Sequence, residues 1–181
     1  MNSITPLPIE GSWIISSDEF KDSRGSFREW LPNSACKDIL GTNFEVAQAN
    51  FSVSKKGTLR GIHYSLAPEG QAKLVTCFTG KIYDVVVDLR PNSKTFGKWH
   101  GVILDSDTPL SIYIGPGLGH AFLALKDQSG VAYLLSSPYN QEVEFGVNPF
   151  DPEIGIIWPN ESYILSEKDQ LSPKVRSARL F

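Results

Sequence analysis

The stretch TLRGIHYS, residues 58–65, places an arginine and a histidine three positions apart in an apolar, glycine-containing segment. A histidine side chain is largely neutral near pH 7 and can then accept a proton. A guanidinium such as that of Arg60 binds phosphate and carboxylate groups in a bidentate manner. At this point His63 is compatible with three functions: a catalytic base, a metal ligand, or an interior histidine that is bonded to the backbone.

The segments that must position these side chains are short β-rich runs separated by turn signals. Glycine, proline, aspartate and serine concentrate between the runs, where tight reversals need positive φ angles and side-chain hydrogen bonds. Such spacing predicts an all-β fold, either a sandwich or a jelly roll. The runs that we predict as strands are VAQANFSV (46–53), KLVTCFTG (73–80), KIYDVVVDLR (81–90), HGVILD (100–105), LSIYIG (110–115), AFLALK (121–126) and VAYLLSS (131–137).

Alternation along two of these runs predicts which side chains share a face. In KIYDVVVDLR, Asp84 and Asp88 fall on the same face, which we expect to be the wetter one. In VAQANFSV, Gln48 and Asn50 likewise point to one side, which is either part of a site or an outward polar face. NSACKDIL, residues 33–40, opens with capping residues and predicts one short helix.

Composition limits the classes of protein that need to be considered. The 181 residues, 41% of them hydrophobic, predict a single domain over residues 1–181. Seventeen basic and twenty acidic residues give a net charge of −3, which argues against nucleic-acid binding. Cys36 and Cys77 lack CxxC spacing and predict buried, reduced thiols in a cytoplasmic protein. Without a signal-peptide pattern or an apolar run of about 20 residues, we expect no export and no membrane contact.

A metal site at His63 would need further ligands. Metal-binding jelly rolls of the cupin type use an HxH pair, a later glutamate and a GxxH histidine. The motif GLGH ends at His120, but Tyr64 and Ser65 follow His63, and His100 is the remaining histidine. Two histidines and an unidentified acid make a poor ligand set. The sequence therefore predicts no metal.

Several motifs in a fixed order make most of the chain similar to one enzyme family. They are QANFSVSKKGTLRGIHYS, GQAKLVTCFTGKIYDVVVDLRPNSKTFGKW, GLGHAFLAL, YLLSSPYNQEVEFGV, DPEIGIIWP and LSEKD. Over roughly residues 12 to 173 they resemble the dTDP-4-dehydrorhamnose 3,5-epimerase family. The resemblance implies a cupin-type jelly-roll β-sandwich with short peripheral helices. It also implies an enzyme that acts on a dTDP-4-keto-6-deoxy sugar without a metal or a cofactor.

Epimerisation beside a ketone needs a base, an acid on the other face, and a cation that stabilises the enolate oxygen. The resemblance assigns the base to His63, the acid to Tyr133 and the cation to Lys73. It assigns Asp169 as the carboxylate that orients the base, as in other histidine-dependent enzymes. Taken one at a time, these residues also fit an interior histidine, a strand aromatic, an edge lysine and a turn acid.

A diphosphate calls for guanidinium and ammonium donors, for which Arg60 and Arg24 are the candidates. In resembling structures the arginine at the position of Arg24 comes from the neighbouring subunit, which implies a homodimer. The resemblance places Tyr139 against thymine. The other positions that coincide with family binding residues are Glu29, Gln48, Asn50, His120, Glu144 and Lys168.

Departures from the family pattern leave the regiospecificity open. Ser65 and Ser26 replace commoner residues, and Phe145 stands where many relatives carry glycine or histidine. The first hypothesis is epimerisation of dTDP-4-dehydro-6-deoxy-D-glucose at both C3 and C5, which gives dTDP-4-dehydro-β-L-rhamnose. The alternatives are an epimerase of one carbon only, a metal-dependent cupin, and a non-catalytic nucleotide-sugar binder.

Overall fold

Two antiparallel β-sheets packed face to face form the body of the protein, in a computed structural model that describes residues 3–31, 33–41, 43–68, 70–160 and 162–181. The strands are β1 Ser3–Pro6, β2 Ser12–Ser16, β3 Glu19–Asp22, β4 Gly25–Arg28, β5 Gln48–Ser54, β6 Leu59–Ser65, β7 Lys73–Thr79, β8 Lys81–Asp88, β9 Trp99–Asp105, β10 Leu110–Ile114, β11 Leu118–Ala124, β12 Ser129–Leu135 and β13 Glu144–Gly146. The helices are α1 Asn33–Leu40 and α2 Glu167–Gln170, followed by a 3₁₀ turn at Val175–Ser177.

The order of strands in each sheet differs from their order in the chain. One sheet runs β1-β2-β10-β7-β12-β5, the other runs β13-β6-β11-β8-β9, and β3 and β4 form a separate hairpin. The chain thus passes repeatedly from one sheet to the other, as in a jelly roll. The predicted all-β jelly-roll sandwich is confirmed, and so is the helix at residues 33–40.

Apolar side chains fill the space between the sheets and also cover both outer faces. Between the sheets, Val86 and Phe122 of one sheet pack with Val75 and Val131 of the other. The outer face of the five-stranded sheet is covered by the chain after β13, with Trp158 among the buried contacts. Helix α1 covers part of the other outer face. Central strands are therefore buried on both sides, and every residue of β11 is buried.

The expectation that the face with Asp84 and Asp88 is the wetter one is wrong, because both carboxylates are fully buried. Hydrogen bonds within the protein take the place of water. Asp88 accepts from Arg90 Nε at 2.9 Å and from the hydroxyls of Ser93 and Thr95, each at 2.6 Å. Burial would raise the pKa of Asp88, but these hydrogen bonds outweigh it and lower the pKa to about 2.

The strand boundaries differ from prediction mainly at β11, which begins at Leu118 and not at residue 121. The sequence favoured a turn there because of the glycines in GPGLG. Gly119 is needed instead for close packing, since a Cβ at this position would lie 2.5 Å from Ile62 Cγ2. Among the residues that the structure describes, neither helix has the length and apolar character that a bilayer crossing requires.

Candidate active site

Side chains from both sheets surround a cavity of about 240 Å³. Of the residues predicted to react or to bind, all but Asp169, Arg24 and Glu29 line it. Among the described residues, those that line it are Gln48, Asn50, Arg60, His63, Gln71, Lys73, His120, Phe122, Tyr133, Leu135, Tyr139, Glu144, Phe145 and Lys168.

Strand alternation brings these side chains to the same space. On the six-stranded sheet, Tyr133 of β12 lies directly opposite Asn50 of β5, so their side chains share a face. On the five-stranded sheet, His63 of β6 lies opposite His120 of β11. Tyr133 and His63 therefore approach the cavity from opposite sheets.

His63 forms a close pair with Asp169, which lies 106 positions later in the chain. Nε2 of His63 donates to Asp169 Oδ1 at 2.6 Å, which leaves Nδ1 as the basic nitrogen. The side chain of Asp169 is only 5% exposed, whereas that of His63 is 38% exposed. Burial would raise the pKa of Asp169, but the hydrogen bond from His63 and the charge of its ring outweigh this and lower it. Asp169 is thus held as a carboxylate.

The N-terminus of helix α2 fixes Asp169 in this position. Ser166 caps the helix, and its hydroxyl accepts from the backbone N–H of Asp169 at 3.1 Å. Lys168, the preceding residue on the same helical turn, lines the cavity. This short helix therefore supplies both a carboxylate behind the histidine and a cation.

Lys73 opens strand β7 and is buried, with its Nζ donating to the backbone carbonyl of His63 at 3.3 Å. Because β7 lies between β10 and β12, Lys73 is not the exposed edge residue that was one alternative. Burial lowers the pKa of Lys73 to about 8, against the opposing charges of Glu144 and Asp84. The ammonium group is therefore poorly solvated and is available to a developing negative charge.

The sequence interpretation missed that Asp84 is a buried carboxylate paired with a residue of the cavity wall. Its Oδ2 accepts from His120 Nε2 at 2.8 Å. Its Oδ1 is buried with no hydrogen-bond partner among the described residues. The signal was an aspartate flanked by apolar residues within a strand, which indicates a buried acid with a partner. A second histidine–carboxylate pair therefore lies beside the first.

Polar contacts organise the rest of the lining. Gln71, which the sequence interpretation also missed, donates from Nε2 to Glu144 Oε1 at 2.9 Å. Gln48 donates to Asn50 Oδ1 at 2.9 Å and accepts from the backbone N–H of Tyr139 at 2.7 Å. These bonds hold strand β5 and the Tyr139 loop together at the cavity entrance.

Arg60 donates from Nε to Ser54 Oγ at 3.2 Å and lines the cavity. Phe122, Leu135 and Phe145 contribute apolar surface to the cavity wall. The sequence analysis noted Phe145 as a departure from the family pattern, but it did not predict that Phe145 lines the cavity.

Arg24 and Glu29 lie outside the cavity of their own chain. Arg24 is in the turn of the β3–β4 hairpin, where its guanidinium pairs with Asp22 and its side chain is 88% exposed. Glu29 follows the same hairpin and is exposed. The predicted contribution of Arg24 thus requires a second subunit.

No group of three or more histidine, cysteine, aspartate or glutamate side chains could hold a metal ion in the described parts of the chain. What the fold presents is a jelly-roll sandwich with a candidate acid–base site: a histidine on one sheet paired with a helix carboxylate, and a tyrosine and a buried lysine on the other sheet. The sequence model of the dTDP-4-dehydrorhamnose 3,5-epimerase family matches residues 6–177. The chain belongs to this family of isomerases.

Similar proteins include epimerases of two carbons and of one. A dTDP-4-dehydrorhamnose 3,5-epimerase of Mycolicibacterium smegmatis is 47% identical over 174 residues, which is 96% of this chain and 86% of the relative. The structure of a Legionella pneumophila 3,5-epimerase in complex with dTDP-4-keto-L-rhamnose has a TM-score of 0.93 at 35% identity, covering 99% of this chain and 95% of that one. A 3′-monoepimerase of Streptomyces bikiniensis in complex with dTDP-quinovose has a TM-score of 0.91 at 43% identity, covering 95% and 87%.

Proposed function

We propose that this protein epimerises dTDP-4-dehydro-6-deoxy-D-glucose at C3 and C5, giving dTDP-4-dehydro-β-L-rhamnose. One observation carries the proposal: His63, which is paired with Asp169, and Tyr133 reach one cavity from opposite sheets, and the buried cation Lys73 lines the same cavity. That is the set of groups that inversion of a carbon next to a ketone requires.

The reaction follows from the acidity of a C–H bond beside a carbonyl group. His63 removes the proton, and Asp169 stabilises the resulting imidazolium. The electron pair of the broken bond moves to the C4 oxygen, where the ammonium group of Lys73 balances the charge of the enolate. Tyr133 then donates a proton to the opposite face of the same carbon. Both groups regain their starting state by exchange with water, so the step needs no oxidant and no cofactor.

The nucleotide part of the substrate fits the remaining lining. We place the diphosphate at Arg60 and Lys168, which supply positive charge at the wall of the cavity. Tyr139, which is 56% exposed, offers a ring face on which thymine can stack. The other predicted contacts are polar groups at the cavity wall: Gln48, Asn50, His120 and Glu144.

A homodimer completes this site in our proposal, with Arg24 and Glu29 reaching the cavity of the partner subunit. The hairpin that carries Arg24 exposes Phe20 and Phe27, whose ring centroids are 6.5 Å apart. The outer face of the six-stranded sheet also exposes Phe51. Exposed aromatic clusters of this kind favour an interface between subunits.

We also propose that the protein works in the cytoplasm. Both cysteines, Cys36 and Cys77, are free and buried. Burial raises the pKa of each thiol, that of Cys77 to about 11, so neither forms a reactive thiolate at neutral pH. Such thiols fit a reducing compartment.

The decisive experiment is NMR of the 4-keto substrate with the protein in deuterated buffer. Deuterium at both C3 and C5, with the L-rhamno product, is the expected result. Deuterium at one carbon only would support the alternative of a monofunctional epimerase, which the similarity to the Streptomyces bikiniensis enzyme favours. Binding of dTDP without any exchange would contradict catalysis and leave a nucleotide-sugar binder. Exchange that depends on an added metal ion would support the metal-dependent alternative.

The base is tested by His63→Ala, with His100→Ala as the matched control. We expect kcat to fall by roughly 10²–10⁴ in His63→Ala, because no other group takes over the proton transfer. His100 lies on edge strand β9 outside the cavity, so its variant should keep the kcat of the unmodified protein. A near-normal kcat in His63→Ala would remove this residue from the mechanism.

A further inference from the structure

Strand β13 is a three-residue edge strand that forms part of the cavity wall. Among the described strands it pairs only with β6, where Phe145 lies opposite Tyr64 and Gly146 lies opposite His63. Glu144 of the same strand lines the cavity. Because so short a strand makes few ladder hydrogen bonds, its position depends on what packs against its outer side.

Residues 178–181 pack against that outer side. Tyr64 donates its hydroxyl to the backbone carbonyl of Arg179 at 2.5 Å. The guanidinium of Arg179 lies 5.4 Å from the ring centroid of Phe145, within the range of a cation–π contact. The ring of Phe181 lies 6.2 Å from that of Tyr64, which in turn lies 6.0 Å from that of Phe145. These contacts join the segment to both β6 and β13.

The Tyr64 hydroxyl keeps its proton under all relevant conditions. Burial raises the pKa of Tyr64 to about 12, against the opposing charge of Arg179. The hydrogen bond to Arg179 therefore persists across the pH range in which an enzyme of this kind is assayed.

On the inner side, Glu144 acts on the charge of Lys73. Its Oε1 accepts from Gln71, and its negative charge opposes the effect of burial on the pKa of Lys73. Lys73 in turn donates to the carbonyl of His63, the residue opposite Gly146 in the β6–β13 pair. A displacement of β13 would therefore change the distance from Glu144 to the lysine.

We propose that residues 178–181 act as a clamp on strand β13, in which Arg179 and Phe181 fix the position of Glu144 relative to Lys73. Arg179 is then a positioning residue, which acts on the cavity through Phe145. This inference rests on the proposed function for its consequence in catalysis, but the clamp itself can be measured in the free protein.

The first test is a titration of Lys73 by NMR of lysine ¹³Cε, with the resonance assigned by its loss in Lys73→Arg. In Arg179→Ala we expect the midpoint to fall by about half a pH unit, because Glu144 recedes. If the lost charge of Arg179 acted directly on Lys73, the midpoint would rise. The direction of the shift therefore distinguishes a direct charge effect from a movement of Glu144. Arg179→Ala retains the other titratable and charged groups at the cavity, which are Glu144, Arg60, Lys168 and the imidazoles of His63 and His120, with Asp84 behind His120.

Two variants control for specificity and folding. Arg179→Lys keeps a cation over the Phe145 ring and should restore the original midpoint. Arg176→Ala removes an exposed arginine of the same part of the chain, which pairs with Glu153 at 2.6 Å, and should leave the midpoint unchanged. If Arg179→Ala fails to fold, Phe145→Leu removes the aromatic contact with less loss of packing and should give the same downward shift.

The second test is a double-variant cycle with Glu144→Gln, measured on kcat. Measured at pH 9, Arg179→Ala should lower kcat about threefold and leave KM within about twofold, and the double variant should be no worse than Glu144→Gln alone. Additive losses, or an unchanged Lys73 midpoint in folded Arg179→Ala, would overturn the clamp. An unmodified protein that does not epimerise would contradict the proposed function, while the titration would still decide on the clamp.

Discussion

Lys73 sets the upper pH limit of the proposed reaction. The enolate oxygen needs a charged ammonium group, and burial lowers the pKa of Lys73 to about 8, against the charges of Glu144 and Asp84. Below pH 8 the group is protonated and can stabilise the enolate. As the pH rises through about 8 the charge is lost, so kcat should fall on that side.

Asp84 gives a direct way to move this limit. Asp84→Asn keeps the shape of the side chain but removes one of the two charges that hold the pKa of Lys73 up, so the alkaline limb of kcat should shift to lower pH. For a fall of about one unit in that pKa we expect a loss of roughly fivefold in kcat at pH 8, which a pH series of initial rates would measure.

A surface acid provides the control for Asp84. Asp105 pairs with Lys81 at 3.3 Å and lies away from the cavity, so Asp105→Asn should keep the original pH profile. An Asp84→Asn protein with normal thermal unfolding and an unshifted alkaline limb would show that Lys73 does not depend on this carboxylate.

The sequence predicted the positions of some site residues better than those of others. His63 and Arg60 stand out by type and spacing, whereas Asp169 is 106 positions away from the histidine that it binds and was found only through the family resemblance. The sequence correctly placed Asp84 on a strand, but the prediction that its face is exposed to solvent was wrong. Alternation shows which residues share a face, but it does not show which face is buried when the sheet is covered on both sides.

Strands β6 and β11 approach each other closely beside the pair of His63 and His120. Gly61 makes this possible: a Cβ there would lie 2.5 Å from the carbonyl oxygen of His120 and 2.7 Å from Ala121 Cα. Its φ of +113° is also one that other residues rarely adopt. Any side chain at this position would push the two strands apart.

Gly61→Ala should therefore be far more destabilising than an ordinary change at positive φ. We expect its free energy of unfolding to fall by about 3 kcal/mol or more, measured by urea denaturation. Gly155→Ala is the matched control, with φ +65° and its nearest atom at 3.5 Å, and should cost about 1 kcal/mol. Equal losses in the two variants would mean that crowding between β6 and β11 is not what requires glycine.

At the level of elements, the sequence predicted the strands well where turn residues bound them clearly. Strands β7 and β8 and helix α1 fall where expected. The predicted start of strand β11 was too late, because Gly119 looked like part of a turn. Its actual role is to allow close packing on Ile62. The three-residue strand β13 was not predicted, since its pairing with β6 depends on contacts from distant parts of the chain.

At the level of the whole molecule, the proposed site is one that a single chain does not complete. Arg24 lies on an exposed hairpin and lines no part of its own chain's cavity, although the family resemblance assigns it to the substrate diphosphate. The two exposed rings of that hairpin, Phe20 and Phe27, are typical of a surface covered by a partner. If the hairpin reaches the neighbouring cavity, each active site combines His63 of one subunit with Arg24 of the other.

Mixing two defective proteins tests this arrangement. Arg24→Ala and His63→Ala should each be nearly inactive at low substrate, but a dimer with one subunit of each kind would contain one cavity with both groups intact. After dissociation and reassociation in equal amounts, half the dimers are mixed, so about a quarter of the original activity should return. Arg24 acting within its own chain would instead leave the mixture as inactive as its components, even where two affinity tags show that mixed dimers have formed.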